Sequence, residues 1–282
     1  MKKNLLIVTL LVATLGLPHA LAAQPGSRDS IWIENKKAIY QQGVIDINMS
    51  FPQLDSEKGT EEILTTVNRA VLATLTNNPP IEYSAPVVSL PDLRLFIAKM
   101  ASGINKKESQ PMDPTPFQYF TSWSAFGNNL VFSIFVKTYT YLGGAHGTTQ
   151  GSYLNFSKQT GEPIDIQSLI ADTAKLMDMA AVYFCKERHL PQDAMQLRTG
   201  LFMELLDLPM PKQIGFGAKG LVLYYNQYEI APYSSGQITI TIPYSEMDHV
   251  LGPDCSKSQL TSGGVRAFDA NTKRVNTALW RR

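Results

Sequence analysis

The chain has 282 residues, 25 basic against 24 acidic side chains, a formal net charge of +1, and 44% hydrophobic residues. That length is enough for one large or two small domains with a proper core. A charge this near neutrality argues against nucleic acid or an anionic membrane as partner, because both favour a marked basic excess.

The chain opens on a short basic head, Met1-Lys2-Lys3-Asn4, followed by an apolar run from Leu5 to Leu17. Those 13 residues fall short of the roughly 20 that cross a bilayer. Pro18 breaks the run, and Ala20-Leu21-Ala22 fits the small-x-small rule for signal peptidase. Residues 1–22 are therefore expected to be a cleaved export signal. The mature chain is expected in the periplasm or outside the cell, with no integral membrane segment.

Ile31 to Leu54 reads as strands: Ile45, Ile47 and Met49 alternate with Asp46, Asn48 and Ser50, the period-two pattern of a half-buried strand. From Thr60 the period turns helical, with Ile63, Leu64, Val67, Val71 and Leu75 on one face, until Asn77-Asn78-Pro79-Pro80 stops it. A second helix is predicted from Asp92 to Ile104, and a proline-rich connection follows. Phe117 opens a β-rich stretch: one strand to Phe126, a turn at Gly127-Asn128-Asn129, a strand from Leu130 to Leu142, and another from Gly151 to Phe156. Further on come a helix from about Asp172, helical segments near Gln192 to Leu206, and a hairpin of Gln213–Phe216 with Leu221–Asn226. Gln237 to Ile242 is a clear strand and leads into a short helix at Pro243-Tyr244-Ser245. Strands and helices come in clusters, so the expected class is α+β, antiparallel sheets with helices packed on one face. The expected organisation is an N-terminal half over residues 23–157, a C-terminal half of the same module over 158–252, and a polar, loose tail over 253–282.

Chemistry-bearing patterns are sparse. Gly215-Phe216-Gly217-Ala218-Lys219-Gly220 matches the dinucleotide fingerprint in letters, but that motif needs a helix after its last glycine. Leu221 to Tyr225 is a strand by composition, so a hairpin turn is expected there and no cofactor. His146 sits in the glycine turn Gly143-Gly144-Ala145-His146-Gly147 and is the one candidate for a catalytic base. His189 and His249 lack zinc-site spacing, so no metal is expected. A flanking-glycine histidine more often bonds a carbonyl or meets a partner. Cys185 and Cys255 are candidates for one disulfide, which an exported chain can hold.

The tyrosines point to recognition. Tyr139 and Tyr141 precede the glycine turn, while Tyr224, Tyr225, Tyr228 and Tyr233 cluster within ten residues. Tyrosine offers a large rigid area with a polar tip. In alternating strands about half must face inward, which leaves the loop members Tyr228 and Tyr233. The candidate binding residues are Tyr141, Gly143, Gly144, His146, Tyr228, Glu229, Pro232 and Tyr233; Glu229 is expected to pair with a backbone or basic group.

Tyr139 to Gly147, Asn155-Phe156 with Thr160-Gly161, Gly220-Leu221 through Tyr228-Glu229-Ile230-Ala231-Pro232-Tyr233, Gly236 and Ile242-Pro243-Tyr244 together resemble the RsiV-like extracytoplasmic domain family. That family includes the outer part of the lysozyme-sensing anti-sigma factor RsiV and the N-terminal, non-catalytic part of the peptidoglycan deacetylase PdaC. The resemblance covers about Ile31 to Leu251. It implies an α+β module outside the membrane that binds a protein partner such as a lysozyme-like muramidase, or a cell-wall fragment, with an inhibitor or immunity protein as one form of this. The alternatives are a cell-envelope hydrolase using His146 with a nearby carboxylate, and a structural envelope module without a dedicated ligand.

Overall fold

A computed structural model describes residues 31–56, 62–107, 116–158, 160–190, 201, 207–253, 255–256, 260–261, 266–269 and 275–277. The expected export signal and nearly all of the expected helical stretch 192–206 lie outside the described residues. The chain divides into two compact units.

The first unit holds residues 1–123, 138–148 and 270–281. Its frame is a hairpin of β1 (Ile31–Gln42) and β2 (Ile45–Ser56), paired antiparallel from Ile31↔Ser56 to Gln42↔Ile45. Gly43, at φ 58°, makes the left-handed turn between them. The alternation in β2 works as expected: Ile45, Ile47 and Met49 are buried against α1 (Glu62–Leu75) and α2 (Leu90–Lys107). α1 contributes Leu64, Val67, Val71 and Leu75 to this core, and α2 contributes Phe96, Ile97 and Met100. At the start of α2, Ser89 Oγ accepts from Asp92 N–H at 3.3 Å and donates to the Asp92 carboxylate at 2.6 Å, and that carboxylate also accepts from Val88 N–H at 3.2 Å. Helix α1 ends where the buried Tyr119 hydroxyl donates to the carbonyl of Leu75 at 2.7 Å.

β3 (Phe117–Gly127) runs parallel to β2 over Ile45↔Phe117 to Met49↔Thr121, an addition to the antiparallel pairing expected from sequence. Beyond that ladder Thr121 Oγ1 closes the edge by accepting from Ser50 N–H and donating to Ser50 C=O, each at 2.9 Å.

The second unit holds residues 124–137 and 149–269. It contains parts of β3 and β4 (Val131–Tyr141), most of β5 (Thr148–Ser157), α3 (Thr173–Glu187), and a three-stranded antiparallel sheet of β6 (Gln213–Phe216), β7 (Gly220–Tyr225) and β8 (Ile238–Pro243). Asp172 caps α3 by accepting from Lys175 N–H at 2.8 Å. Leu176, Ala180 and Phe184 of α3 share a core with Ile238, Ile240 and Ile242 of β8 and with Leu221, Leu223 and Tyr225 of β7. Gly215 to Gly220 is the hairpin corner expected, with Gly217 N–H donating to Gly220 C=O at 2.9 Å. The strand order of the larger sheet is β10 (Val275–Thr277), β1, β2, β3, β4, β5, with β9 (Arg266–Asp269) pairing β3. β9 and β10 arise inside the segment expected to be a loose tail.

No disulfide joins the candidate pair: Cys185 and Cys255 are both buried within one apolar cluster, and burial pushes the Cys255 thiol upward. They fill core volume as small hydrophobic groups. Among the described residues no helix is long and apolar enough to cross a membrane.

Candidate functional site

The eight candidate residues fall in two loops, one in each unit, and each loop is built by its own neighbours.

In the first unit, β4 ends at Tyr141 and the chain turns through Gly143 (φ 86°) and Gly144 (φ 90°), a conformation that side chains with a Cβ resist. The Tyr141 hydroxyl reaches across the turn and donates to the Gly144 carbonyl at 2.9 Å. Tyr139 stacks on Phe120 with ring centroids 6.0 Å apart, and its ring occupies the space a Cβ at Gly147 would need. These contacts fix the loop while Leu142, 58% exposed, stands at its tip. His146 is exposed, and its Nδ1 lies 3.2 Å from the carbonyl of Gly147.

In the second unit, the turn after β7 is tied at nearly every polar group. Glu229 N–H donates to the carbonyl of Asn226 at 3.1 Å, and the Glu229 carboxylate accepts from Asn226 N–H at 2.8 Å. Glu229 is thus paired with backbone, as its position suggested. Asn226 Oδ1 accepts from Gly151 N–H at 2.7 Å and Gln227 Oε1 from Thr149 N–H at 2.8 Å, both on β5. Gln213 Oε1 continues the series by accepting from Tyr153 N–H at 2.8 Å. Three alternate donors of β5 therefore meet side-chain amides in place of another strand. An edge closed in this way does not recruit a foreign strand, and the same bonds hold the turn in place.

Between these anchors sits Tyr228, with a left-handed φ of 64° and 55% of its surface exposed. A non-glycine residue in that region costs on the order of 1–3 kcal/mol and persists only where its surroundings over-determine it. Its ring lies 5.7 Å from that of Tyr233, tilted by 39°. Pro232 leads into the short 3-10 turn Tyr233–Ser235, and Gly236 closes the loop at φ 66°. Tyr224 and Tyr225, by contrast, are core residues. Burial, with Glu229 adding to it, pushes the Tyr224 hydroxyl up to about 12. Phe135, Tyr153 and Tyr224 form a ring cluster, with centroids 4.8 Å apart in both pairs made by Phe135; it leaves no room for side chains at Gly151 and Gly215.

The sequence singled out Tyr228 and Tyr233 by their place outside the strands. It carried no sign of the amide series on β5, because Asn226, Gln227 and Gln213 lie 60 to 78 residues from the donors they meet.

Two sheets with helices packed on them define a mixed α+β module of the kind found in crystallised DUF3298 proteins. A member from Bacteroides fragilis superposes with a TM-score of 0.55 at 17% identity, covering 82% of this chain and 98% of that one. A DUF3298 family protein from Pseudomonas aeruginosa gives 0.52 at 16% identity, covering 79% and 94%. At such identity the likeness is one of fold. Within the sequence itself, residues 177–245, which include the Tyr228 turn, match the family described as "Protein of unknown function (DUF3298)". Among curated proteins none matches the chain.

Proposed function

We propose that this chain is an exported, non-catalytic binding protein that docks a protein partner of the lysozyme-like muramidase class on its loop Asn226 to Gly236. The observation that carries this reading is the Tyr228–Tyr233 ring pair, Tyr228 exposed and Tyr233 half-buried, held on a strained turn whose polar groups are bonded inward. Rigid aromatic area of this kind is what interface centres use, and a turn ordered beforehand loses little further entropy on docking. The signal-like N-terminus supports a place outside the cytoplasm, and the resemblance to the RsiV-like family supports the choice of partner class. The glycine loop Leu142 to Thr148, held by Tyr141, is a further contact segment with Gly143, Gly144 and His146. The exposure of Leu142 and Tyr228 runs against a structural module without a ligand, which would bury both loops. Paired tyrosine rings also suit the face of a sugar, so a peptidoglycan fragment is the second reading.

The test is titration calorimetry of the mature chain against several purified muramidases and against soluble muropeptides. Binding to a muramidase supports the first reading, and binding to muropeptides alone supports the second. Absence of affinity for every muramidase removes the first. Turnover of peptidoglycan lost in His146→Ala would move the chain to the hydrolase class.

A further inference from the structure

In the first unit, β1 leaves a stretch of backbone open. The N–H and C=O of Ser50 on β2 turn toward Thr121, and those of Leu54 toward Asn68. Ser50 and Leu54 lie opposite Lys37 and Ile33 of β1. Two residues that face each other in an antiparallel ladder either exchange both bonds or both point away. Lys37 and Ile33 therefore aim their backbone groups outward, and by the same alternation so do Ile39 and Gln41. Ile33 is met there by Val275 of β10, whose pairing with β1 spans Ile31 to Ile33. No described strand pairs with the outward groups of Lys37, Ile39 and Gln41.

Elsewhere the chain closes such positions with side chains: Asn226, Gln227 and Gln213 on β5, Thr121 and Asn68 on β2. Lysines are one device by which an edge resists pairing. Here Lys36 is drawn to Glu34 at 2.7 Å, which leaves Lys37 as the exposed charge of the open stretch. One such charge restricts the registers a partner strand can take, since like charges directly opposite destabilise a pair.

We propose that this edge pairs with β1 of a second copy of the chain, antiparallel about a two-fold axis at Ile39. Ile39 then meets its own counterpart, while Lys37 faces Gln41 of the partner subunit and Lys36 faces Gln42 of the partner subunit. All three open positions find partners, and no like charges stand opposite. The neighbouring registers each fail. An axis at Lys37 sets two lysines face to face. An axis at Ala38 brings the Gly43 turn of one copy opposite Ile33, the place that Val275 holds. An axis at Tyr40 sets Lys37 against that turn, beyond the strand end at Gln42. An edge that matches itself about a two-fold in this way favours a second copy over an unrelated strand.

The test is sedimentation velocity of the mature chain from micromolar to millimolar concentration, with backbone amide exchange followed at both ends of the range. A dimer is expected to form as concentration rises. The amides of Lys37, Ile39 and Gln41 should exchange fast in the dilute chain and become protected in the dimer. Gln42→Glu sets a carboxylate opposite Lys36 of the partner subunit, and Gln42→Lys sets a like charge there; symmetry makes each change count twice. The first is expected to tighten the dimer about two- to tenfold and the second to weaken it by as much. Gln42 is exposed at the end of β1, so both variants keep the fold. A monomer at every concentration would overturn the proposal, as would a dimer in which the three amides stay unprotected. Protection already present in the dilute monomer would give the edge to the chain itself and overturn it too. So would two Gln42 variants that respond alike.

Discussion

Tyr224 and Tyr225 are adjacent, both buried, and opposite in what their hydroxyls contribute. The Tyr225 hydroxyl donates to the carbonyl of Pro209 at 2.6 Å. The Tyr224 hydroxyl is buried with no hydrogen-bond partner among the described residues. Phenylalanine in each place removes one oxygen and little else. At Tyr225 the loss is a hydrogen bond worth about 0.5–1.5 kcal/mol, together with a carbonyl left under-satisfied, so Tyr225→Phe should destabilise by about 1–2 kcal/mol. At Tyr224 the substitution removes an unpaired polar group, whose burial costs on the order of 1–3 kcal/mol, and it keeps the packing against Phe135. Tyr224→Phe should therefore leave stability unchanged or raise it by about 1 kcal/mol, or roughly 2–4 °C in melting temperature. Urea unfolding of the two variants beside the parent measures both at once, with the slope m as a check that the unfolded state is unaltered. If Tyr224→Phe loses as much stability as Tyr225→Phe, the assignment of these hydroxyls is wrong.

Gly220 faces Pro243 across the β7–β8 ladder, and a Cβ there would collide with the carbonyl oxygen of Ile242, a backbone atom that cannot swing aside. Gly220→Ala should cost about 1–3 kcal/mol or more in the same unfolding assay; a neutral result would contradict the register. The hydrogen bond of Tyr183 to Glu246 at 2.5 Å, with burial second, pushes the Tyr183 hydroxyl up to about 12, as burial and Glu229 do for Tyr224. Both folded values lie above the ordinary 10.0, so the neutral forms are favoured in the folded state. Their contribution is fully present below pH 10 and is lost as pH rises toward 12. Phenolate absorbance should show tyrosines ionising later in the folded than in the urea-unfolded chain, and a stability profile flat between pH 10 and 12 would count against it.

Much of the fold could be read residue by residue. Ile45, Ile47 and Met49 announced β2, Asp172 marked the start of α3, and the strand-forming residues after Gly220 separated a hairpin from a nucleotide loop. What escaped depends on partners remote in sequence. Nothing local in residues 266–269 or 275–277 shows that β3 and β1 accept them as strands, because a short polar segment gains its strand geometry from the edge it pairs with. The parallel alignment of β2 with β3 joins segments some 70 residues apart, beyond the reach of any periodic pattern. At the candidate site the aromatic anchors were visible, since Tyr228 and Tyr233 lie between a strand and a proline- and glycine-marked turn. The left-handed backbone of Tyr228 was not, because no residue type there requires it. Composition left the two cysteines open, since it allows a bridge without showing whether the chain brings them together; both lie unbridged in one apolar cluster.

The Tyr228–Tyr233 pair is the proposed docking surface, and Tyr228→Asn removes its exposed ring. Asparagine tolerates the left-handed conformation at this position better than tyrosine does, so the variant should fold with unchanged or slightly higher stability. Its affinity for a muramidase bound by the parent should nonetheless fall about tenfold or more, the loss typical of an aromatic anchor at the centre of an interface. Undiminished binding by a stably folded Tyr228→Asn chain would contradict the central claim.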